Sequence, residues 1–113
     1  MKEIKAYIRP DKADDVIFEL EHAGVKGLTV IDVSAVGGWA DPEVSQLSVE
    51  YCEKYCSCTK IELICSDDEL EKFINIILDK AHTGRKGDGK IFVSSISDAI
   101  SIRTKEHGIK AIA

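Results

Sequence analysis

The amino-acid sequence predicts an α+β fold in which strands and helices follow one another as β-α-β, loop, β-α-β. Three observations support this class: period-2 alternation near the N-terminus, two helical stretches with one apolar face, and β-branched runs bounded by glycine. The chain has 113 residues, of which 44% are hydrophobic. That length and content fit a single domain with one modest core, so we assign residues 1–113 to one domain.

The first half of the chain contains a strand, a helix and a second strand. Residues 2–9 alternate apolar and polar side chains, and Pro10 ends the strand. The helical pattern that starts at Asp11 has acidic residues near its positive N-terminal end and stops at Gly24. Residues 27–36 are rich in β-branched side chains and predict the second strand.

The second half repeats this order. Residues 59–65 alternate as a third strand, and residues 91–93 form a fourth after the second helix. Ser66 and Glu69 match a capping box, in which the Ser66 hydroxyl accepts a hydrogen bond from the Glu69 N–H. The apolar face of the helix that follows consists of Leu70, Phe73, Ile74, Ile77 and Ala81. This order predicts a ferredoxin-like βαββαβ sandwich, an antiparallel four-stranded sheet with two helices on one face.

The predicted sheet has a second, partly apolar face that no helix covers. It carries Tyr7, Ile31, Ile64 and Phe92. An exposed apolar face of this kind favours burial against other subunits, so we expect an oligomer.

Two segments fall outside the regular pattern. Residues 38–54 lack a consistent apolar face, and loops of that length in a compact domain are usually functional, so we expect a long mobile loop that orders on binding a partner. Residues 97–113 form a C-terminal tail.

Residues 83–90, Thr-Gly-Arg-Lys-Gly-Asp-Gly-Lys, combine three glycines with three cations. Glycine lets backbone N–H groups approach an anion closely, while Arg85, Lys86 and Lys90 supply positive charge. The segment therefore predicts a phosphate-binding loop, and the alternative is a surface turn with solvated cations.

Charge and hydropathy exclude several classes of function. The net charge of −5 argues against nucleic acid as the main partner, because such binding needs a basic face. The sequence has no apolar run long enough to cross a bilayer, and its first residues lack the apolar core of a signal peptide. We expect a cytoplasmic protein.

The cysteines form a cluster near the end of the long loop. Cys52, Cys56 and Cys58 lie within seven residues, whereas Cys65 belongs to the core side of the third strand. Three interpretations of the cluster stay open: unlinked thiols, a redox-sensitive pair, or ligands for Zn²⁺ or Cu⁺.

Taken together, the motifs of this chain resemble the PII signal-transduction family, also called nitrogen regulatory protein P-II. The resemblance rests on residues 2–10, 27–30, 60–62, 83–84, 87–93 and 102–104 and covers nearly the whole chain. It implies a homotrimer with adenine-nucleotide sites between subunits, where ATP and ADP compete as allosteric ligands. It also implies that the long loop, called the T-loop, docks onto a membrane transporter or a metabolic enzyme. Because no nucleophile and base pair stands out in the sequence, we expect a regulator and not an enzyme.

The resemblance assigns roles to individual residues. Those implied to bind the nucleotide are Thr29 and Glu62 near the adenine, Gly37, Gly87, Asp88, Gly89 and Lys90 at the phosphates, and Arg103 from the adjacent subunit. Arg85 is a further candidate from the same loop. Tyr51 matches the tyrosine that some bacterial members have uridylylated, although a docking aromatic in the loop is the alternative.

Three residues depart from the family pattern. Trp39 stands where the family has a Gln that helps to hold magnesium and 2-oxoglutarate, and Cys58 stands where it has a Lys for the 2-oxoglutarate carboxylate. Ser101 replaces one of two tail arginines. Because an indole cannot coordinate Mg²⁺ and a thiol carries no fixed positive charge, these departures argue against the usual 2-oxoglutarate sensing and favour ADP or AMP.

The three departures from the family pattern leave the role of magnesium open, and no obligatory cofactor is implied. Three roles stay open for Trp39: it stacks on a ligand, it covers the site, or it packs against the barrel of the trimer. Two alternatives to the nucleotide regulator remain: a sensor of another small anion such as bicarbonate, and a metal- or redox-responsive trimer using Cys52, Cys56 and Cys58.

Overall fold

The computed structural model describes residues 1–39, 41–43, 46–48 and 53–113, with the backbone alone described for 46–48 and 53–54. The two β-α-β units that the sequence predicts are present, and one short extra strand lies between them. The elements are β1 (Lys2–Ile8), α1 (Ala13–His22), β2 (Thr29–Val36), β3 (Gln46–Ser48), β4 (Glu53–Cys65), α2 (Leu70–Ala81) and β5 (Gly89–Ser95).

The strands form one antiparallel sheet in the order β2-β4-β1-β5, and the short β3 pairs with β4. At the centre of the sheet, Ala6 of β1 lies opposite both Ile61 of β4 and Ile91 of β5. Both helices pack on one face of this sheet, which confirms the predicted ferredoxin-like sandwich.

The core lies between the helices and the sheet. Apolar side chains at alternate strand positions meet those at helical spacing because the two periods bring one face of each element together. The buried set is Ile4, Ala6, Ile8, Ala13, Val16, Leu20, Ile61, Leu63, Cys65, Phe73, Ile77 and Ala81. This set includes Cys65, as predicted. No helix in the described part of the chain is long and apolar enough to cross a membrane.

The other face of the sheet is open in the single chain. The register places Tyr7 of β1 beside Lys60 of β4, with Ile31 of β2 beyond it, while Phe92 of β5 lies opposite Lys5. Ile31 is 37% exposed and Phe92 46% exposed. The partly apolar second face predicted from the sequence therefore exists.

The prediction that the strand pattern is lost throughout residues 38–54 is wrong for two short pieces. β4 begins at Glu53 rather than at residue 59, and β3 pairs with its first residues. The reason is the β2–β4 ladder, which continues to Val36 opposite Tyr55. Backbone pairing extends these strands although the Cys-Ser-Cys sequence of β4 lacks β-branched residues.

The predicted capping box is also wrong in its geometry. The Ser66 hydroxyl donates to the Glu69 carboxylate at 3.1 Å, and the Glu69 N–H donates to the Ser66 backbone carbonyl at 3.1 Å. Residues Asp67–Glu69 form a 3₁₀ turn that precedes α2. The tighter turn uses i to i+3 backbone bonds, so the serine hydroxyl is not needed as the acceptor.

Candidate functional site

Arg9 links three segments at the end of β1. Its Nε donates to Asp88 Oδ1 at 2.9 Å, its Nη1 to Asp41 Oδ2 at 2.6 Å, and its Nη2 to the Lys86 carbonyl at 3.1 Å. The side chain is only 9% exposed. A buried guanidinium needs such partners, because an unpaired charge in the interior is strongly unfavourable. Arg9 thus joins β1 to the Gly-rich loop and to the segment after Trp39.

Asp41 is the second buried member of this network, at 2% exposure. Its Oδ2 also accepts from Arg85 Nη2 at 2.7 Å, so one carboxylate oxygen serves two guanidinium groups. Its Oδ1 accepts from the Glu43 N–H at 2.8 Å. The Glu43 bond and the Arg9 side chain, followed by the charges of both arginines, hold the pKa of Asp41 below its ordinary value.

Asp88 turns inward and closes its own loop. Its carboxylate accepts from the Thr83 hydroxyl, from the Thr83 N–H at 2.7 Å and from the Gly84 N–H at 2.9 Å, besides Arg9. Burial by itself would raise the pKa of Asp88, but the hydrogen bonds from Thr83, Arg9 and Gly84 outweigh it and hold that pKa well below the ordinary range. Asp88 therefore shapes the loop from within.

This lowered pKa predicts acid sensitivity. Because the unfolded chain binds a proton at Asp88 near pH 4 and the folded chain does not, the stabilisation is present above about pH 4 and is lost as pH falls below it. The variant Asp88→Asn is expected to be less stable at pH 7 and to lose less stability between pH 7 and pH 3. Urea unfolding at both pH values measures this, and an unchanged loss would contradict it.

Two glycines allow the loop to pack closely. A Cβ on Gly87, which has φ 103°, would lie 2.7 Å from the Asp41 Cβ. A Cβ on Gly89, at φ 108°, would overlap the Tyr7 carbonyl oxygen. Both backbone conformations and both approaches are compatible only with glycine.

The aromatic cluster of Tyr7, Trp39 and Phe92 lies beside the loop on the open face of the sheet. The Trp39 ring stacks on Phe92 with centroids 5.7 Å apart and meets the edge of Tyr7 at 5.4 Å. Lys90 Nζ lies 6.0 Å from the Trp39 ring centroid, within range of a cation–π contact. Within the described ranges, neither Lys86 nor Lys90 forms an ion pair.

A cavity of about 460 Å³ opens between the end of β1, the β2–β4 ribbon and the Gly-rich loop. Its lining includes Arg9, Trp39, Cys58, Arg85 and Gly87. Cations, glycines and an aromatic ring around a concave space are what recognition of an anionic, ring-bearing ligand requires.

A family model described as Nitrogen regulatory protein P-II matches residues 1–106 of the chain. The chain belongs to the P-II family. Similar curated proteins named Nitrogen regulatory protein P-II include one from Bradyrhizobium diazoefficiens, 42% identical over 112 residues, covering 99% of this chain and 100% of the relative. Another, from Pyropia yezoensis, is 41% identical with the same coverage, and P-II 1 of Methanothermobacter thermautotrophicus is 38% identical, covering 99% and 97%. The resemblance inferred from the motifs is confirmed.

The P-II chain keeps its candidate adenine residues apart from its Gly-rich loop. Thr29 lies directly opposite Glu62, and both line a smaller cavity of about 270 Å³. Glu62 forms an ion pair with Lys60, in which Lys60 Nζ lies 2.6 Å from Glu62 Oε1. Thr29 and Lys90 belong to the two edge strands β2 and β5, about three strand spacings or roughly 14 Å apart.

Arg103 is exposed in the tail, which leaves the sheet at the far end from the Gly-rich loop. β5 starts at Gly89, opposite Ile8, and ends at Ser95, opposite Lys2. The turn that carries Arg103 is closed by the Lys105 N–H on the Ser101 carbonyl at 2.8 Å. Gly37 lies at the end of β2 with φ 79°. A single P-II chain therefore does not bring all the candidate residues together.

The described cysteines of the cluster are buried thiols. Cys56 and Cys58 share a strand face, each 8% exposed, and neither is in a disulfide. The Cys58 thiol donates to the Ile8 carbonyl at 3.4 Å, and burial raises its pKa. Among the described residues, no group of three or more His, Cys, Asp or Glu could hold a metal ion. Cys52 and Tyr51 lie outside the described residues.

Sequence reasoning missed Arg9 and Asp41 as members of this site. Arg9 was assigned only to the polar side of β1, and Asp41 only to the irregular loop. The side-chain bonds that join them to other segments span 32 to 79 positions in the chain, so no local spacing indicates them.

Proposed function

We propose that this protein is a P-II signalling regulator that binds an adenine nucleotide, ADP, ATP or AMP, in clefts between the subunits of a homotrimer. It acts in the cytoplasm without catalysing a reaction, and its T-loop of residues 38–54 controls a partner transporter or enzyme. The observation that carries the proposal is the Gly-rich loop at the start of β5, where close-packed glycines lie beside Lys90 and Trp39.

In this proposal, Gly37, Gly87, Gly89 and Lys90 hold the phosphates, with Asp88 holding the loop in shape. Thr29 and Glu62 lie at the adenine, and Arg103 reaches the ligand from the neighbouring subunit. Two observations support a site shared between subunits: Lys90 and Thr29 lie on opposite edge strands, and the tail that carries Arg103 leaves β5 at the end away from the Gly-rich loop. The exposed apolar face of the sheet also supports the homotrimer, because contact with other subunits would bury it.

A second candidate is a P-II sensor of another small anion, such as bicarbonate. Trp39 and Cys58, which replace the Gln and Lys of the family pattern, favour it over 2-oxoglutarate sensing. Cys58 is buried and donates to a backbone carbonyl, so it offers no cation to a dicarboxylate. The metal alternative has no comparable support among the described residues, which include no ligand set, and the redox alternative has none beyond the two free thiols Cys56 and Cys58.

Calorimetric titration with ATP, ADP and AMP tests the proposal. Each nucleotide is titrated with and without Mg²⁺, 2-oxoglutarate and bicarbonate. Lys90→Ala and Arg103→Ala are each expected to weaken nucleotide binding at least about tenfold, because each removes a charge-assisted bond to phosphate.

Lys72→Ala is the matched control, since its ammonium contacts the Ala23 carbonyl in the helix layer, across the sheet from Lys90. It is expected to bind nucleotide like the wild type. Absence of any nucleotide binding below millimolar concentration would overturn the proposed function, and unchanged affinity in both site variants would overturn the site.

A further inference from the structure

Two of the cations that border the 460 Å³ cavity, Arg9 and Arg85, are already paired within the chain. Arg9 and Arg85 both donate to the single oxygen Asp41 Oδ2, at 2.6 and 2.7 Å. Arg85 also contacts Glu43 Oε2 at 3.1 Å. The two arginines therefore face three carboxylates, those of Asp41, Glu43 and Asp88, before any ligand arrives.

The two arginines are not equally available to a ligand. Arg9 is buried and donates to three acceptors in two other segments, so its release would open the fold. Arg85 is half exposed and lies in the Gly-rich loop itself, so it can exchange a carboxylate for a phosphate oxygen. Such an exchange leaves Asp41 beside the new anion.

We infer that Asp41 is a specificity-determining residue of the nucleotide site: its carboxylate competes with the ligand's phosphates for Arg85 and disfavours ligands in proportion to their negative charge. This inference rests on the proposed function and adds a repulsive element to it, of the kind by which binding sites exclude close analogues. The ligand class that the site favours is accordingly a nucleoside mono- or diphosphate rather than a triphosphate.

The position of Asp41 makes the repulsion effective. The residue is 2% exposed, so water screens its charge poorly, and Gly87 packs against its Cβ. Asp41 packs against Gly87 and accepts from the Glu43 N–H, so its side chain cannot turn into solvent without moving residues 41–43. Trp39, the only tryptophan, lies two positions away and reports on that movement through its fluorescence.

The test compares the wild type with Asp41→Asn, an isosteric change that removes the charge. Calorimetry measures binding of AMP, ADP, ATP and inorganic tripolyphosphate at fixed salt. Asp41→Asn is expected to bind ATP and tripolyphosphate about tenfold more tightly, ADP less so, and AMP almost unchanged. If Asp41 only maintains the shape of the site, the variant binds all four compounds equally well or more weakly, and that result would overturn the inference.

A second variant keeps the test independent of the buried network. Glu43→Gln changes a side chain that is 75% exposed and contacts Arg85. It is expected to shift the affinities in the same direction by about threefold or less, because exposed ion pairs are weak. Unfolding and oligomer size of each variant are measured alongside, and a Glu43→Gln protein that favours AMP more strongly would count against the inference.

The four ligands separate this inference from the proposed function. If tripolyphosphate binds Asp41→Asn more tightly than the wild type but no nucleotide binds better than tripolyphosphate, the adenine site is overturned and the role of Asp41 stands. If nucleotides bind the wild type but the ratio of AMP to ATP affinity is the same in Asp41→Asn, the role of Asp41 is overturned and the nucleotide site stands. Failure of all four compounds to bind either protein overturns both.

Discussion

Replacing Gly89 with alanine is expected to prevent folding or to lower the free energy of unfolding by more than about 4 kcal/mol. The added Cβ would overlap the Tyr7 carbonyl oxygen, and the residue has φ 108°, where L-residues are strained. Tyr7 belongs to β1, which is hydrogen-bonded to β4 on its other side, so it cannot move away without breaking a second ladder. Urea unfolding followed by circular dichroism, at fixed protomer concentration, measures the loss.

Gly84→Ala is the matched control for this prediction. Gly84 lies in the same loop at φ 89°, but its nearest neighbour to an added Cβ is His82 Cε1 at 3.8 Å, an ordinary contact. It is expected to lose only about 1 to 2 kcal/mol, the cost of the left-handed conformation. Equal losses for the two variants would mean that backbone strain alone, and not the contact with Tyr7, limits the substitution.

Sequence periodicity predicted best the elements whose own residues determine which face is buried. β1 alternates strictly, and α2 carries Phe73, Ile77 and Ala81 at helical spacing, so burial of one face was readable from the residues themselves. The N-terminal part of β4 is different. Its residues Cys56 to Cys58 have weak strand preference and are held by backbone pairing with β2, which only the folded sheet supplies.

The candidate site likewise has features that the local sequence predicts and features that only the folded chain supplies. Glycine composition predicted a loop at residues 83–90 whose backbone adopts positive φ, and the positive φ of Gly84, Gly87 and Gly89 agrees with it. The cations of that turn were assigned to a ligand, whereas Arg85 is paired with Asp41 inside the chain. Which charge pairs with which depends on the meeting of three segments distant in sequence, and charge patterns in one stretch carry no information about that.

Arg9→Met is expected to lower the free energy of unfolding by about 3 kcal/mol. Methionine retains much of the apolar volume of the arginine stem but leaves Asp41, 2% exposed, and Asp88 without their shared guanidinium. Removing one partner from a buried ion pair is costly because the remaining charge has lost its solvation and its compensation. Urea unfolding at pH 7 measures the change.

Arg85→Met is the control, because it removes the other guanidinium from the same Asp41 oxygen. Arg85 is half exposed, so water can replace its contacts, and the expected loss is less than about 1 kcal/mol. A comparable loss in the two variants would contradict the view that Arg9 holds the site together while Arg85 is the cation exchanged with a ligand. The difference in stability between the variants therefore tests, without any nucleotide, the division of roles on which discrimination by Asp41 depends.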